Sequence, residues 1–341
     1  MNFACANCGI TMNFYESGNV ILHNNKVLPS PIERAKKIND YTFVFPYNSQ
    51  EALQETLSMN IEMLEKQEWK CSLSLTEIPG EFSPVSEFIN RIKKRELVEI
   101  IQNGQFKSHL QPIINLKDFR LYGYESLLRS SNPDNQINPA TLFETASVTG
   151  FHSMLDQKAR QSAIESRKGQ IQTGIKSFIN FLPSTIYNPE FCLRHTFNIV
   201  NKYGVNPNDL VFEVVETEKI EDINHLKSVL EVYQREGMKV ALDDVGSGFS
   251  TIEMLTLLQP DYVKIDRSYI NHCDSNEENQ QFLERVLKIS KELGIYVLAE
   301  GIEREEELTY CKNIGVDFAQ GYYIGKPSQM AEKPLLHTLL V

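Results

Sequence analysis

Glu125, Glu213, Asp243, Asp266 and Glu300 share a feature: each stands at, or one residue past, the C-terminal end of a short β-rich run. Asn180 ends another such run, and Glu216, Asp244 and Glu303 follow close behind theirs. A single acid after a strand is more often a helix cap or a turn residue. Eight carboxylates and one carboxamide around one mouth are another matter. Like charges a few Å apart repel by about 1 kcal/mol or more per pair even at surface-like dielectric. Either several protonate or cations compensate them. Oxygen donors without a His or Cys cluster suit Mg²⁺ or Mn²⁺ rather than zinc. More carboxylates than one ion needs point to a two-metal site of the kind that cleaves phosphodiesters. Lys264, two residues before Asp266, adds a positive charge on the same side of its strand.

These residues are scattered through the chain, so a fold must gather them. From about residue 108 the sequence alternates β-rich runs with amphipathic helical stretches. The expected strands are His109–Ile114, Arg120–Ser126, Lys176–Phe181, Asp209–Val214, Met238–Asp243, Asp261–Ile265, Ile295–Glu300 and Val316–Gln320. Expected helices include Phe151–Arg167, Ile220–Arg235, Glu277–Leu293 and Arg304–Asn313. Runs such as Leu210-Val211-Phe212 are continuously apolar, as parallel strands covered on both faces require. Eight strands with intervening helices predict an α/β chain with a (β/α)8 TIM-type barrel, whose strand C-termini converge on one face. An open doubly wound sheet is the rival. The five residues Asn115–Phe119 are too short for a parallel crossover, so one strand is expected to run antiparallel. The expected domains are an accessory α+β segment over 1–85 and the barrel over 86–341. Within the former, Thr42–Phe45 reads as a strand and Gln50–Gln67 as a helix, and Pro84–Gln102 reads as a helix leading into the barrel.

The 341 residues carry 34 basic and 45 acidic side chains, a net charge of −11. That balance argues against DNA or RNA polymers as partners, which need a basic footprint. It leaves room for a small phosphorylated ligand, because bound cations invert the local sign. No apolar run reaches the roughly 18 residues of a membrane span. The N-terminus lacks the pattern of a signal peptide, so a cytoplasmic protein is expected, with no membrane insertion. Cys5 and Cys8 have the spacing of half a zinc site, with Cys71 and His23 as the completions available before the barrel. Two ordinary thiols are the plainer reading. Cys192, Cys273 and Cys311 read as small core or surface residues, and Trp69 as a core residue.

In its motifs the chain resembles the EAL-domain family of cyclic-di-GMP phosphodiesterases. The signature stands as Glu125-Ser126-Leu127-Leu128-Arg129, with serine in place of the usual alanine. Gln111-Pro112-Ile113, Asn180, Glu213-Val214-Val215-Glu216, Asp243-Asp244-Val245-Gly246-Ser247-Gly248-Phe249-Ser250, Lys264-Ile265-Asp266, Glu300-Gly301-Ile302-Glu303 and Gln320-Gly321-Tyr322 follow the family pattern over roughly residues 90–330. The resemblance implies a barrel with one strand reversed and two ions, Mg²⁺ or Mn²⁺. Glu125, Asn180, Glu213 and Asp243 would hold the first, and Asp243, Asp244 and Glu300 the second. It implies that Glu300 and Lys264 position and deprotonate the attacking water, with Asp266 steadying them. Arg129 would grip a phosphate, and Gln111 and Gln320 would line the nucleotide cleft. Glu216 and Glu303 would stand behind these, Glu216 in support of the loop 244–250 and Glu303 on the substrate side. Val245, Ser247, Phe249 and Val215 depart from the usual residues without removing a ligand. Hydrolysis of cyclic di-GMP to linear 5′-pGpG, in a homodimer, is the implied activity, with calcium as an inhibitor. Two rivals stay open: a non-catalytic cyclic-di-GMP receptor acting as a regulatory module, and a metal-dependent enolising lyase using a Lys/Glu pair.

Overall fold

The computed structural model describes residues 11–132, 137–215, 222–246 and 252–335. The chain divides into two compact units, Met1–Gln105 with Asp134–Leu155, and Phe106–Pro133 with Asp156–Val341. The division lies beyond the boundary expected after residue 85, and burial explains it. Val85, Phe88, Ile89 and Ile92 on the helix Val85–Lys93 share one apolar cluster with the N-terminal sheet.

That sheet has five antiparallel strands: β1 (Gly18–His23), β2 (Lys36–Asn39), β3 (Thr42–Tyr47), β4 (Lys70–Ser74) and β5 (Ser83–Pro84), in the order β2-β3-β1-β4-β5. Only β3 is legible in the sequence. β4 reads Lys-Cys-Ser-Leu-Ser, too polar and too short to announce a strand. Leu53, Leu57, Phe88 and Ile92 cover one face of the sheet beside Val20, Leu22 and Phe45. Trp69 is 1% exposed in this cluster, edge-on to Phe43, with its indole N–H on Gln67 Oε1 at 3.0 Å, the core role expected of it. The single helix expected over 50–67 is two, Gln50–Met59 and Ile61–Lys66, because Asn60 leaves helical geometry at φ −111° and ψ 4°. Lys94 likewise divides the next stretch into Val85–Lys93 and Arg95–Asn103. A one-residue break hardly disturbs an apolar stripe, so periodicity reads straight through it.

Cys71 lies opposite Leu22 and His23 opposite Lys70. Neighbouring positions on a strand project to opposite faces, so Cys71 and His23 cannot complete one tetrahedral site. Cys71 is buried among apolar side chains, and burial pushes its thiol up. Cys5 and Cys8 lie outside the described residues.

The second unit is a closed eight-stranded barrel. Its strands are β6 (Phe106–Asn115), β7 (Leu121–Ser130), β8 (Lys176–Phe181), β9 (Leu210–Val214), β10 (Lys239–Val245), β11 (Tyr262–Ile265), β12 (Tyr296–Ala299) and β13 (Phe318–Gln320). All eight expected strands are present. β6 runs antiparallel to both neighbours, β7 and β13, while the other barrel pairs are parallel. Asn115 closes the tight β6–β7 turn by accepting the Lys117 N–H at 2.8 Å. Helices cover the outside; Glu277–Leu293 has its expected bounds, started by the Asn276 side chain on the N–H groups of Glu278 and Asn279 and stopped by Gly294 at φ 72°. Among the described residues no helix is long and apolar enough to cross a membrane.

Candidate metal centre

Lys264 stands in the middle of the barrel mouth. It projects inward from β11, 1% exposed. Its ammonium lies 2.7 Å from Glu300 Oε1, 2.9 Å from Asp243 Oδ1, 3.0 Å from Glu213 Oε1 and 3.8 Å from Glu125 Oε1. One positive charge thus faces four negative ones in a place shielded from water. Burial pushes the Glu213 and Glu300 carboxyls well above their ordinary range; the Lys264 charge opposes this, and the neighbouring acids add to it. Asp243 is raised by burial too, against the pull of Lys264. Asp244 is pushed up to about 6 by burial and then by Asp243. For Lys264 burial works against the charge, but Asp243, Glu125, Glu213 and Glu300 outweigh it and hold the ammonium well above its ordinary value.

A regular strand sends successive side chains to opposite faces, so Asp243 and Asp244 should diverge. The register of β10 against β11 shifts between Leu242 and Val245, and Asp244 adopts φ 52°. This irregularity turns both acids toward one place: oxygens of Asp243, Asp244 and Glu300 lie within 4.8 Å of one another. A positive φ at a non-glycine residue is backbone strain, of the kind that persists where the surroundings over-determine it. Gly246 follows at φ 110°, and a Cβ there would overlap the rings of Tyr269 and Phe282.

Whether cations fit can be judged from atoms that lack partners. Asn180 Oδ1 is buried and accepts no hydrogen bond, while its Nδ2 donates to Glu125 Oε1 at 3.2 Å. Both Glu213 oxygens are buried without a hydrogen bond, although the Lys264 ammonium sits 3.0 Å from one of them. Buried acceptors left in this state cost free energy that a hard cation removes. The donor set is all oxygen. Glu125, Asn180, Glu213, Asp243, Asp244 and Glu300 therefore suit divalent ions.

The remaining predicted residues fall in different places. Gln320 Nε2 donates to Glu125 Oε2 at 2.6 Å and lies 3.0 Å from Gln111 Oε1, while Gln111 Nε2 donates to the Gly325 carbonyl at 3.2 Å. Both glutamines are buried; Gln320 holds Glu125, and Gln111 holds Gln320. Next to Gln320, Gly321 lets the chain approach Ile302, since a Cβ there would overlap the Ile302 backbone. Asp266 caps the short helix Arg267–Ile270 by accepting the Ser268 N–H at 2.9 Å, and its charge contributes to raising Asp244. Glu303 is exposed and paired with Arg267 at 2.8 Å. Arg129, on the long end of β7, donates to the Leu128 carbonyl at 2.7 Å. Glu216 and Ser247–Ser250 lie outside the described residues.

Two supporting acids carry no clear signal in the sequence. Glu307, 1% exposed, accepts the N–H groups of His272, Glu303 and Arg304 and the Arg304 guanidinium, and these donors hold its carboxyl low despite burial. It thereby fixes the segment leaving Glu300. Asp156 accepts the Leu182 N–H at 3.1 Å, two residues past Asn180, while paired with buried Arg160 at 2.7 Å. Their spacings, Arg304 to Glu307 and Asp156 to Arg160, look like ordinary helix-surface pairs.

The EAL domain model matches residues 94–327. A protein of Escherichia coli (strain K12), described as the probable cyclic di-GMP phosphodiesterase PdeG, is 33% identical over 234 residues, 67% of this chain and 45% of that protein. The chain spans under half the length of this and a further curated relative. Among solved structures, a standalone EAL protein of Vibrio cholerae O395 in its c-di-GMP-bound form is 33% identical with a TM-score of 0.62, over 68% of this chain and 96% of that one. BlrP1 of Klebsiella pneumoniae shares the fold at 19% identity, with a TM-score of 0.62 over 93% of this chain and 98% of that one.

Proposed function

The chain belongs to the EAL domain family, and on that premise we propose that it hydrolyses cyclic di-GMP to linear 5′-pGpG with two divalent ions, Mg²⁺ or Mn²⁺. One observation carries the reading: Lys264 within 3.0 Å of Glu300, Asp243 and Glu213, in a mouth that also keeps Glu125, Asn180 and Asp244. Every acid and the lysine that the family pattern requires at these positions is present. Glu125, Asn180, Glu213 and Asp243 would hold one ion, and Asp243, Asp244 and Glu300 the other. When bound, the ions supply positive charge to the reacting phosphate and acidify water. Glu300 takes the proton of the attacking water, and Lys264 holds Glu300 and Asp243 in the geometry this needs. Arg129 grips phosphate through a charge-assisted contact, and Gln320, held by Gln111, fixes the direction of Glu125. Attack at one phosphorus expels the ribose 3′ oxygen. Asp266, Glu216 and Glu303 belong to the surroundings of this machinery, and a homodimer and a cytoplasmic setting belong to the same reading.

The test is hydrolysis of cyclic di-GMP by the purified full chain with Mn²⁺, Mg²⁺ or chelator, beside Glu125→Ala and Glu300→Ala. Metal-dependent pGpG, reduced by about 10²–10⁴ in the Glu300 variant, is expected. Binding of the dinucleotide without product under any metal would make the chain a receptor instead.

A further inference from the structure

Past Glu300, the helix Glu305–Ile314 carries two buried residues one turn apart on the same side, Glu307 and Cys311. Both meet the irregular segment that follows β11. Glu307 accepts the His272 N–H at 3.0 Å, and the Cys311 Sγ lies 4.0 Å from that of Cys273. The two contacts are consecutive rungs between the chain leaving Lys264 and the chain leaving Glu300. Glu307 also accepts the N–H groups of Glu303 and Arg304, so a shift of this helix is felt just past Glu300. Neither cysteine is exposed, but Cys273 is bracketed by exposed residues, with His272 at φ 57° before it and Ser275 and Asn276 after it. Positive φ outside glycine costs energy, and local opening of this short stretch releases that strain while baring Cys273. The hydrogen bond with Cys311 holds the Cys273 thiol below its ordinary value against burial, while the same bond and burial push Cys311 up. Cys273 is therefore the thiolate of the pair.

We propose that Cys273 and Cys311 are a redox modification site, closed by hydroperoxides into a reversible disulfide that clamps the exits of β11 and β12 together and slows turnover. The Cys273 thiolate attacks the peroxide oxygen, forming a sulfenic acid and expelling hydroxide. The Cys311 sulfur then attacks the sulfenic sulfur; the S–S bond forms, and the hydroxyl leaves as water with the Cys311 proton. In balance, two thiols give up two protons and two electrons, and hydrogen peroxide becomes two waters. Closing the 4.0 Å gap to a bond of about 2 Å draws the helix toward Cys273. Glu307 rides on that helix one turn away, so the segments it holds beside Glu300 move with it. The bond itself is independent of the phosphodiesterase reading; only its effect on turnover rests on that reading.

The experiment treats the full chain, carrying Cys5→Ser and Cys8→Ser to remove the one other closely spaced pair, with hydrogen peroxide and then with dithiothreitol. Peptide mass mapping is expected to find the bond between Cys273 and Cys311, with Cys71 and Cys192 still thiols. Because the bond closes a loop whose ends are 38 residues apart, it should raise the melting temperature by about 5 °C. Amide exchange at His272, Glu303 and Arg304 should slow. The kcat for cyclic di-GMP with Mn²⁺ should fall about ten-fold or more, the scale of a displacement near 1 Å, and return with dithiothreitol. Higher stability with lower turnover separates the clamp from oxidative damage, which lowers both. Cys311→Ala and Cys273→Ala, each in the same background, should lose all of these responses. Thiols that stay reduced, pair elsewhere or pass on to sulfinic acid overturn the proposal, as does a Cys273–Cys311 bond that leaves kcat unchanged in an active enzyme. If the reduced protein does not hydrolyse the dinucleotide, the phosphodiesterase reading fails, and mapping, melting and exchange still decide the clamp.

Discussion

Inside the barrel, seven of the mouth residues have an apolar inward neighbour two positions deeper. Phe178 lies below Asn180, Val211 below Glu213, Ala241 below Asp243, Tyr262 below Lys264, Leu298 below Glu300 and Phe318 below Gln320. On the reversed strand β6 the order inverts, and Ile113 lies below Gln111. The deep layer is apolar and self-satisfied: Tyr122 stacks on Phe318 at 3.8 Å, and its hydroxyl meets that of Tyr262 at 2.6 Å. The upper layer gathers carboxylates around one ammonium and leaves acceptors on Asn180 and Glu213 without hydrogen bonds. One pleat repeat, about 7 Å, separates side chains that stabilise the fold from side chains that strain it. The same strands thus serve stability and chemistry by depth alone, so damage at the two depths should look different.

The largest contrast is Phe178→Ala against the mouth variants. Deleting this buried ring is expected to destabilise the protein by about 3–5 kcal/mol, the usual cost of a large core truncation. Denaturant unfolding reads that loss, while molecules that remain folded should keep their turnover. A Phe178 variant with normal stability would break the comparison. Lys264→Met sharpens it from above. Removing the cation that faces these buried carboxylates costs about 3–5 kcal/mol in chelator, and excess Mn²⁺ should restore a large part of the lost melting temperature without restoring hydrolysis.

A pH series in chelator tests the same strain without substitution. The raised carboxyls of Glu213, Glu300, Asp243 and Asp244 bind protons more tightly in the folded state, so their destabilisation is full at high pH and fades as pH falls toward the unfolded value near 4. For Asp244 the window runs from about 6 down to that value. Lys264, raised in the folded state, contributes stability throughout this range and loses it only in strong alkali. Melting by calorimetry should therefore rise from pH 8 to pH 5 in chelator, and divalent ions should flatten the slope. The smallest expected effect is Tyr262→Phe, which leaves the Tyr122 hydroxyl without its partner for about 1 kcal/mol in denaturant unfolding; hydrolysis should not change.

Much of this architecture was legible because its cause is local. Continuous apolar runs announce strands covered on both faces, and five residues between two of them force an antiparallel pair. Acids at strand ends share a mouth once the strands form a barrel, since the fold gathers C-termini on one face. The breaks at Asn60 and Lys94 and the polar strand β4 were not legible, because a short interruption or a short polar run leaves no periodic signal.

The sequence by itself determined which residue types stand at the strand ends, and with them the barrel and the oxygen-rich character of its mouth. Tertiary structure alone decided that Lys264 sits at the centre of the acids, that β10 breaks register so Asp243 and Asp244 converge, and that Glu307 and Asp156 pin the segments beside Glu300 and Asn180. The reason is distance along the chain. Residue type and period are local properties, whereas a side chain's partners come from strands tens of residues away, and only closure of the barrel brings them within hydrogen-bond reach.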